Sequence, residues 1–215
     1  MILIGQYDSP FVRRVGIALR LYGLPFEHRP WSVFGDADAI RALNPLMRVP
    51  TLVLDDGFVL TDSHMILDHL DGLVPEAAAL FPRAEPARHR VLKITTLATG
   101  LAEKAVSLFY ERRLHDVTSP VWEARCALQI GSVLDALEGD LAARTGPFWF
   151  DALTHADIAC ACALRFVQAA HPGLWTAQRH PRLAKHAAMM EQTAAFSEIH
   201  QEFNAPAGAT SRQSP

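Results

Sequence analysis

Three short stretches carry side chains whose types and spacing suit the holding of an anion. Ser9 stands directly before Pro10-Phe11, at the head of an amphipathic run. A serine hydroxyl at a helix N-terminus accepts from a free backbone N–H and can also donate to a negatively charged ligand, with the helix dipole adding attraction. Thr61-Asp62-Ser63 offers side-chain oxygens before Met65, Ile66, Leu67 and Leu70, which recur at helical spacing. Arg48-Val49-Pro50 opens an apolar run, and a cis bond before Pro50 would expose the backbone groups of Val49. Backbone donors beside a helix N-terminus make a cradle for a small ligand bearing a carboxylate. Plain capping explains Ser9 and Asp62-Ser63 equally well, and the two uses are compatible, because a ligand carboxylate takes the same free N–H groups.

Other combinations lead nowhere. Cys160 and Cys162 lie two apart on a helix, about 200° from each other, and read as core thiols. His64 and Asp68 share a face with His69 nearby, but no further ligand is evident and a solvated or partly packed face is the reading. His155 and His171 are read the same way. Glycine-rich dinucleotide fingerprints, phosphate loops and His-Glu-x-x-His are absent.

The elements that must position these residues can be read in order. Ile2 to Ile4 is a short strand; Ser9-Pro10 starts a helix whose apolar face includes Val12, Val15, Ile17 and Leu21, ending at Gly23 near Pro25. Phe26 to Trp31 is a second strand, and Asp36 to Leu43 a short helix stopped at Asn44-Pro45. Thr51–Leu54 and Phe58–Leu60 are strands joined through Asp56-Gly57, read as a two-residue hairpin turn. The first 75 or so residues thus follow β-α-β-α-β-β-α. Pro75, Pro82 and Pro86 mark a linker, placed at 81–86 between a domain over 1–80 and another over 87–203. Beyond it all is helical: a long helix from Ala87 to about His115, a second from Pro120 to about Arg144, a third opened by Leu153-Thr-His-Ala-Asp-Ile158, and another after Pro181. Thr154 and Asp157 have capping-box spacing, and Leu153 and Ile158 sit as a staple around it. Residues 204–215 read as a disordered tail.

Composition sets bounds on the class. The 215 residues are 50% hydrophobic with a formal net charge of -3, which gives no basic stripe for nucleic acid. No stretch approaches the roughly 20 apolar residues of a membrane span. The start, Met-Ile-Leu-Ile-Gly, lacks a charged leader, and three cysteines without framework spacing fit a reducing compartment. The expected location is the cytoplasm.

Taken together, Ser9-Pro10-Phe11, Val49-Pro50, Asp62-Ser63 and the Leu153–Ile158 capping element, in this order and spacing, resemble the glutathione S-transferase family over nearly the whole chain. The resemblance implies an α/β thioredoxin-like N-terminal domain plus an all-α C-terminal domain, glutathione as co-substrate, and a homodimer. It places Val49, with cis-Pro50, against the cysteinyl part of glutathione, Asp62 and Ser63 at the γ-glutamyl end, and Arg48 as a charged helper; Phe11 belongs to the same motif. Trp31, Arg48 and Arg41 are candidates for the glycine end. The catalytic candidate is Ser9, with Tyr7 as the rival. A free thiol has a pKa of roughly 8.5, and lowering it by ~1.5 units takes about 2 kcal/mol of preference for the anion. A charge-assisted hydrogen bond at a helix N-terminus is of that size.

The family also places the end of the first long helix against the cleft for a small hydrophobic electrophile, which points to Tyr110, with Phe109 and Arg113 beside it. Three functions are consistent with these residues: a glutathione transferase, a non-catalytic binding or interaction module of the same fold, and a glutathione-dependent isomerase or dehalogenase. The family's isomerases tend to carry a doubled serine before the first helix, and Asp8-Ser9 departs from that. Ser9-Pro-Phe-Val12, where a disulfide oxidoreductase would carry Cys-x-x-Cys, argues against thiol–disulfide exchange.

Overall fold

The computed structural model describes residues 1–206. Its N-terminal half contains β1 (Ile2–Ile4), α1 (Pro10–Leu21), β2 (Glu27–Arg29), α2 (Ala37–Leu43), β3 (Thr51–Val53), β4 (Val59–Thr61) and α3 (Ser63–Gly72). The strands form one sheet in the order β2-β1-β3-β4, with β1 and β2 parallel and the other pairs antiparallel. This is a thioredoxin-like sheet. The second half is helical: α4 (Ala87–Leu114), α5 (Pro120–Ala142), α6 (His155–Ala170), α7 (Pro181–Glu191) and the short α8 (Ala194–Glu198). Among the described residues no helix is long and apolar enough to cross a membrane.

Local chemistry explains most boundaries. Ser9 and Ser119 cap α1 and α5, each followed by a proline at the first helical position, whose missing N–H is no loss there. Asp157 accepts from the backbone N–H and the hydroxyl of Thr154, both at 2.9 Å, and from the Trp149 N–H at 3.0 Å, which fixes the start of α6. Two expectations need correction. β2 is shorter than Phe26–Trp31, because Pro30 cannot donate and the Trp31 N–H turns back to the Arg29 carbonyl at 2.8 Å. The β3–β4 loop has three residues rather than two. The Gly57 N–H reaches the Leu54 carbonyl at 3.0 Å, Leu54 pairs with Phe58, and Gly57 alone has positive φ, at 85°. That is a turn closed by a glycine bulge, and Asp56 is spared a left-handed conformation.

Helix α1 is the shared wall of both halves, packing against α3 on one side and α6 on the other. Arg13 on α1 is buried; its guanidinium meets the Glu191 carboxylate at 2.5 and 2.7 Å and donates to the Ile199 and Phe196 carbonyls. A second tie is centred on Asp71 near the end of α3. Its carboxylate accepts from the Tyr22 hydroxyl, from the Leu80 and Phe81 N–H groups at 3.2 and 3.0 Å, and meets His155 Nε2 at 3.2 Å. The chain between the halves is therefore anchored as it leaves the first, with Leu80 and Phe81 buried.

Burial would raise the Asp71 carboxyl, but His155, Tyr22 and the Phe81 N–H together hold it below its ordinary value. Burial keeps the His155 imidazole below its ordinary 6.5 despite Asp71. Acid therefore protonates this histidine first in the unfolded chain. Its contribution to stability is complete above about pH 6.5 and is lost as the pH falls below that value, with the loss of the Asp71 contribution following at lower pH. The urea midpoint should fall between about pH 7.5 and 5.5, and His155→Gln should flatten that dependence. Equal slopes in the two proteins would remove His155 from the pH response.

Candidate functional site

The site begins where β1 ends. Gly5, with φ +125, lets the chain turn into the loop that carries Ser9 to the head of α1. A Cβ built on Gly5 would stand 2.5 Å from Val12 Cγ2 and 2.8 Å from Val49 Cβ. Only a residue without a side chain lets the first turn of α1 and the Val49–Pro50 segment come this close. The Val49–Pro50 peptide is cis. Asn44 Nδ2 donates to the Arg48 carbonyl at 2.9 Å and Thr51 Oγ1 donates to it at 3.1 Å, so the segment is held from behind. Among the described residues neither the N–H nor the carbonyl of Val49 has a hydrogen-bond partner.

Two adjoining cavities meet at this segment. The smaller, about 280 Å³, is lined by Pro50, Asp62, Ser63 and His64, with Thr99 and Glu103 reaching in from α4. The larger, about 740 Å³, runs between the halves past Ser9, Trp31, Phe34, Phe109 and Tyr110 to Phe203. Phe11, Arg48 and Val49 line both. All eight site candidates, Ser9, Phe11, Arg48, Val49, Pro50, Asp62, Ser63 and Tyr110, thus lie on one continuous surface.

Ser9 Oγ accepts from the Val12 N–H in a long contact of 3.5 Å, and its proton donates to no group among the described residues. Asp62 caps α3 by accepting the His64 N–H at 2.8 Å and adopts φ 69, while Ser63 behind it is buried. Beneath lies Arg14, wholly buried, and none of its three nitrogens is hydrogen-bonded among the described residues. Burial lowers its pKa to about 10 against the pull of the Asp62 charge, while burial first and then the Arg14 charge lower the His64 imidazole.

Tyr7 stands elsewhere. It is 8% exposed, stacks on His28 with ring centroids 3.8 Å apart, and lines neither cavity; burial pushes its phenol up to about 12, so it stays protonated at neutral pH. Of the residues considered for the glycine end, Trp31 lines the large cleft, whereas Arg41 pairs with Asp38 at 3.0 Å and lines neither cavity. Arg113 turns to the Pro206 carbonyl at 2.6 Å.

Sequence reasoning missed much of the far wall. Phe34 meets Tyr110 edge-on at 5.6 Å across the two halves, and Phe203 packs on Phe109 and Phe166. Of the stretch read as a tail, Asn204 and Pro206 line the cleft, and the Asn204 N–H bonds the Asp8 carboxylate at 3.1 Å; residues 207–215 lie outside those described. An aromatic such as Phe203 just before a small, polar C-terminal run was the available signal.

A thioredoxin-like domain joined to a helical domain, with a cleft between them at a cis-proline, defines a class of two-domain protein. The chain matches the glutathione S-transferase N-terminal domain over residues 3–78 and the glutathione S-transferase C-terminal domain over residues 120–188. It is 34% identical over 188 residues to the uncharacterized GST-like protein YibF of Escherichia coli K12, which covers 86% of this chain and 91% of that relative. Solved structures agree. A glutathione S-transferase of Methylobacterium radiotolerans, in complex with glutathione sulfonate, superposes with a TM-score of 0.88 at 28% identity, covering 95% of this chain and 96% of its own. One from Methylobacillus flagellatus, with glutathione bound, gives 0.85 at 26% identity, covering 92% and 98%. The chain belongs to the glutathione S-transferase family.

Gly5→Ala tests the geometry. The added methyl must displace Val12 or Val49 and also occupy a φ that L-residues avoid, so a loss of about 2–4 kcal/mol in chemical denaturation is expected. Adding Val12→Ala should recover only part of it, since the φ strain persists. Full recovery would show that crowding alone matters.

Proposed function

We propose that the protein is a glutathione transferase in which Ser9 stabilises the bound thiolate. The observation that carries this reading is the Ser9 hydroxyl, at the head of α1, on the same surface as Val49 and Ser63 and with its proton uncommitted. Glutathione would lie across both cavities. Its γ-glutamyl end would take the smaller one, with the carboxylate at the start of α3 beside Ser63 and the amino group towards Asp62. The Val49 backbone would pair with the cysteinyl unit, its donor and acceptor being otherwise unused. Arg48, exposed at the junction, and Trp31 would meet the glycine end. Phe11 packs beneath the peptide.

The thiolate then faces the large cleft, where Tyr110, Phe34 and Phe109 form an aromatic wall suited to a small hydrophobic electrophile. Holding both reactants there converts the encounter into an effectively unimolecular step. The sulfur attacks an electrophilic carbon, a carbon–sulfur bond forms, and the leaving group departs with its electron pair. In the bound neighbours the ligand is glutathione or its sulfonate, which supports this assignment of the co-substrate. A homodimer of cytoplasmic residence completes the reading; Phe58 and Met65, 61% and 60% exposed, are apolar side chains that a second subunit would cover.

Ser9→Ala should raise the pKa of bound glutathione by ~1–1.5 units, followed by thiolate absorbance, and lower kcat/KM for a neutral aryl halide near pH 7 about tenfold. Unchanged turnover would remove Ser9 from the mechanism. Ser63→Ala should act differently, weakening glutathione by about 1–2 kcal/mol in calorimetric titration while leaving the bound thiol pKa in place. A wild-type protein with no glutathione affinity would favour a binding or interaction module.

A further inference from the structure

The charges on the wall of the large cleft are unevenly placed. Among the described residues Arg48 is the only basic side chain that lines it and Asp8 the only acidic one. Arg48 also lines the smaller cavity, on the Asp62–Ser63 side. Asp8 also lines a third cavity of about 450 Å³, which adjoins the cleft at Phe166 and Phe203. The two charges therefore mark opposite ends. Arg48 stands where the tripeptide would lie, and Asp8 where the electrophile would.

Asp8 immediately precedes Ser9 and is held in place, its Oδ2 accepting the Asn204 N–H at 3.1 Å. Burial raises its pKa, and the backbone N–H groups of Asn204, Ser9 and Asp8 itself, which favour the ionised carboxylate, work against that rise. Its charge is felt across the cleft: burial first, then Asp8, raises the Tyr110 phenol, while Arg48 lowers it. The surrounding surface is aromatic, with Phe109, Tyr110, Phe166 and Phe203. A carboxylate among ring faces repels anions and suits a cation or a hydrogen-bond donor.

We infer that Asp8 sets the charge preference for the electrophile: the cleft accepts neutral or cationic aromatic electrophiles and turns away those bearing a carboxylate. The inference rests on the transferase reading of this same cleft. In the reaction concerned, the glutathione sulfur attacks the ring carbon bearing chlorine; the C–S bond forms, the C–Cl bond breaks, and chloride leaves with the electron pair. The thiolate is itself negative, but it is common to every electrophile. Any effect of Asp8 on the thiol therefore cancels in a ratio between two substrates.

The test compares 1-chloro-2,4-dinitrobenzene, which is neutral, with 4-chloro-3,5-dinitrobenzoate, which is anionic, in the unaltered protein and in Asp8→Asn. The anionic-to-neutral ratio of kcat/KM should rise about tenfold in Asp8→Asn, as expected for one unit charge across a partly desolvated cleft. When KCl is increased from about 10 mM to about 500 mM, the same ratio should rise more in the unaltered protein than in Asp8→Asn, the repulsion from the thiolate being common to both. A ratio that stays within about twofold under both changes overturns the inference while leaving the transferase reading intact. Failure of the unaltered protein to turn over the neutral halide overturns the transferase reading, and this inference with it.

Discussion

The cleft exists only because two unlike halves are held at a fixed angle, and one buried carboxylate does much of the holding. Asp71 gathers the Tyr22 hydroxyl from the end of α1, two backbone N–H groups from the connecting chain, and the His155 imidazole from α6. Each partner comes from a different segment, so none can move without leaving a buried polar group unsatisfied. An unpaired carboxylate in that setting costs several kcal/mol. The neighbouring α1 adds a second fixed point through Arg13, whose guanidinium is spent on Glu191 and on two carbonyls from the C-terminal end of the chain. Helix α1 is thus clamped at both domains, and the orientation of Ser9 at its head follows from that.

The clamp matters because the site has few rigid parts of its own. Ser9 and Val49 stand in loops, Ser63 is only the first residue of α3, and loops drift unless their backbones are tied. Asn44 and Thr51 tie the Arg48 carbonyl, and Gly5 allows Val49 to rest on the first turn of α1. With the backbone of Val49 fixed in this way, its N–H and carbonyl, unpaired among the described residues, stand open at the junction of the two cavities, as strand addition by an extended peptide would require.

Local signals explain how far the sequence could be read. Ser9-Pro10, Pro120 and Thr154-x-x-Asp157 act on backbone groups within one turn, so these helix starts were legible to within a residue or so. Asp56-Gly57 was legible as a turn but not as a loop length. Glycine at that point serves both a two-residue turn and the bulge that closes a three-residue one, and only the Leu54–Phe58 pairing decides. Pairs distant in sequence left no trace. Asp71 and His155 stand 84 residues apart and Asp8 and Asn204 are 196 apart, and no periodicity links them. The same holds for the Phe203 wall, since an aromatic near the end of a chain packs wherever the fold brings it. Tyr7 was ambiguous for a related reason: its position in the chain suited the site, and its stacking on His28 from β2 takes it elsewhere.

Arg14 connects the stability of the fold to the electrostatics of the site. A guanidinium that is fully buried and bonded to no group among the described residues is a net cost to folding, and an apolar side chain of similar length would suit that position better on stability alone. Yet its field acts on Asp62 and opposes protonation of His64, both on the wall of the smaller cavity. The free N–H groups at the start of α3 point the same way, so a buried charge and a helix terminus together make that end of the surface positive. Asp8 makes the far end negative. The cleft is therefore polarised along its length by two groups that packing alone would not select, which is where a fold is expected to accept lower stability in return for function.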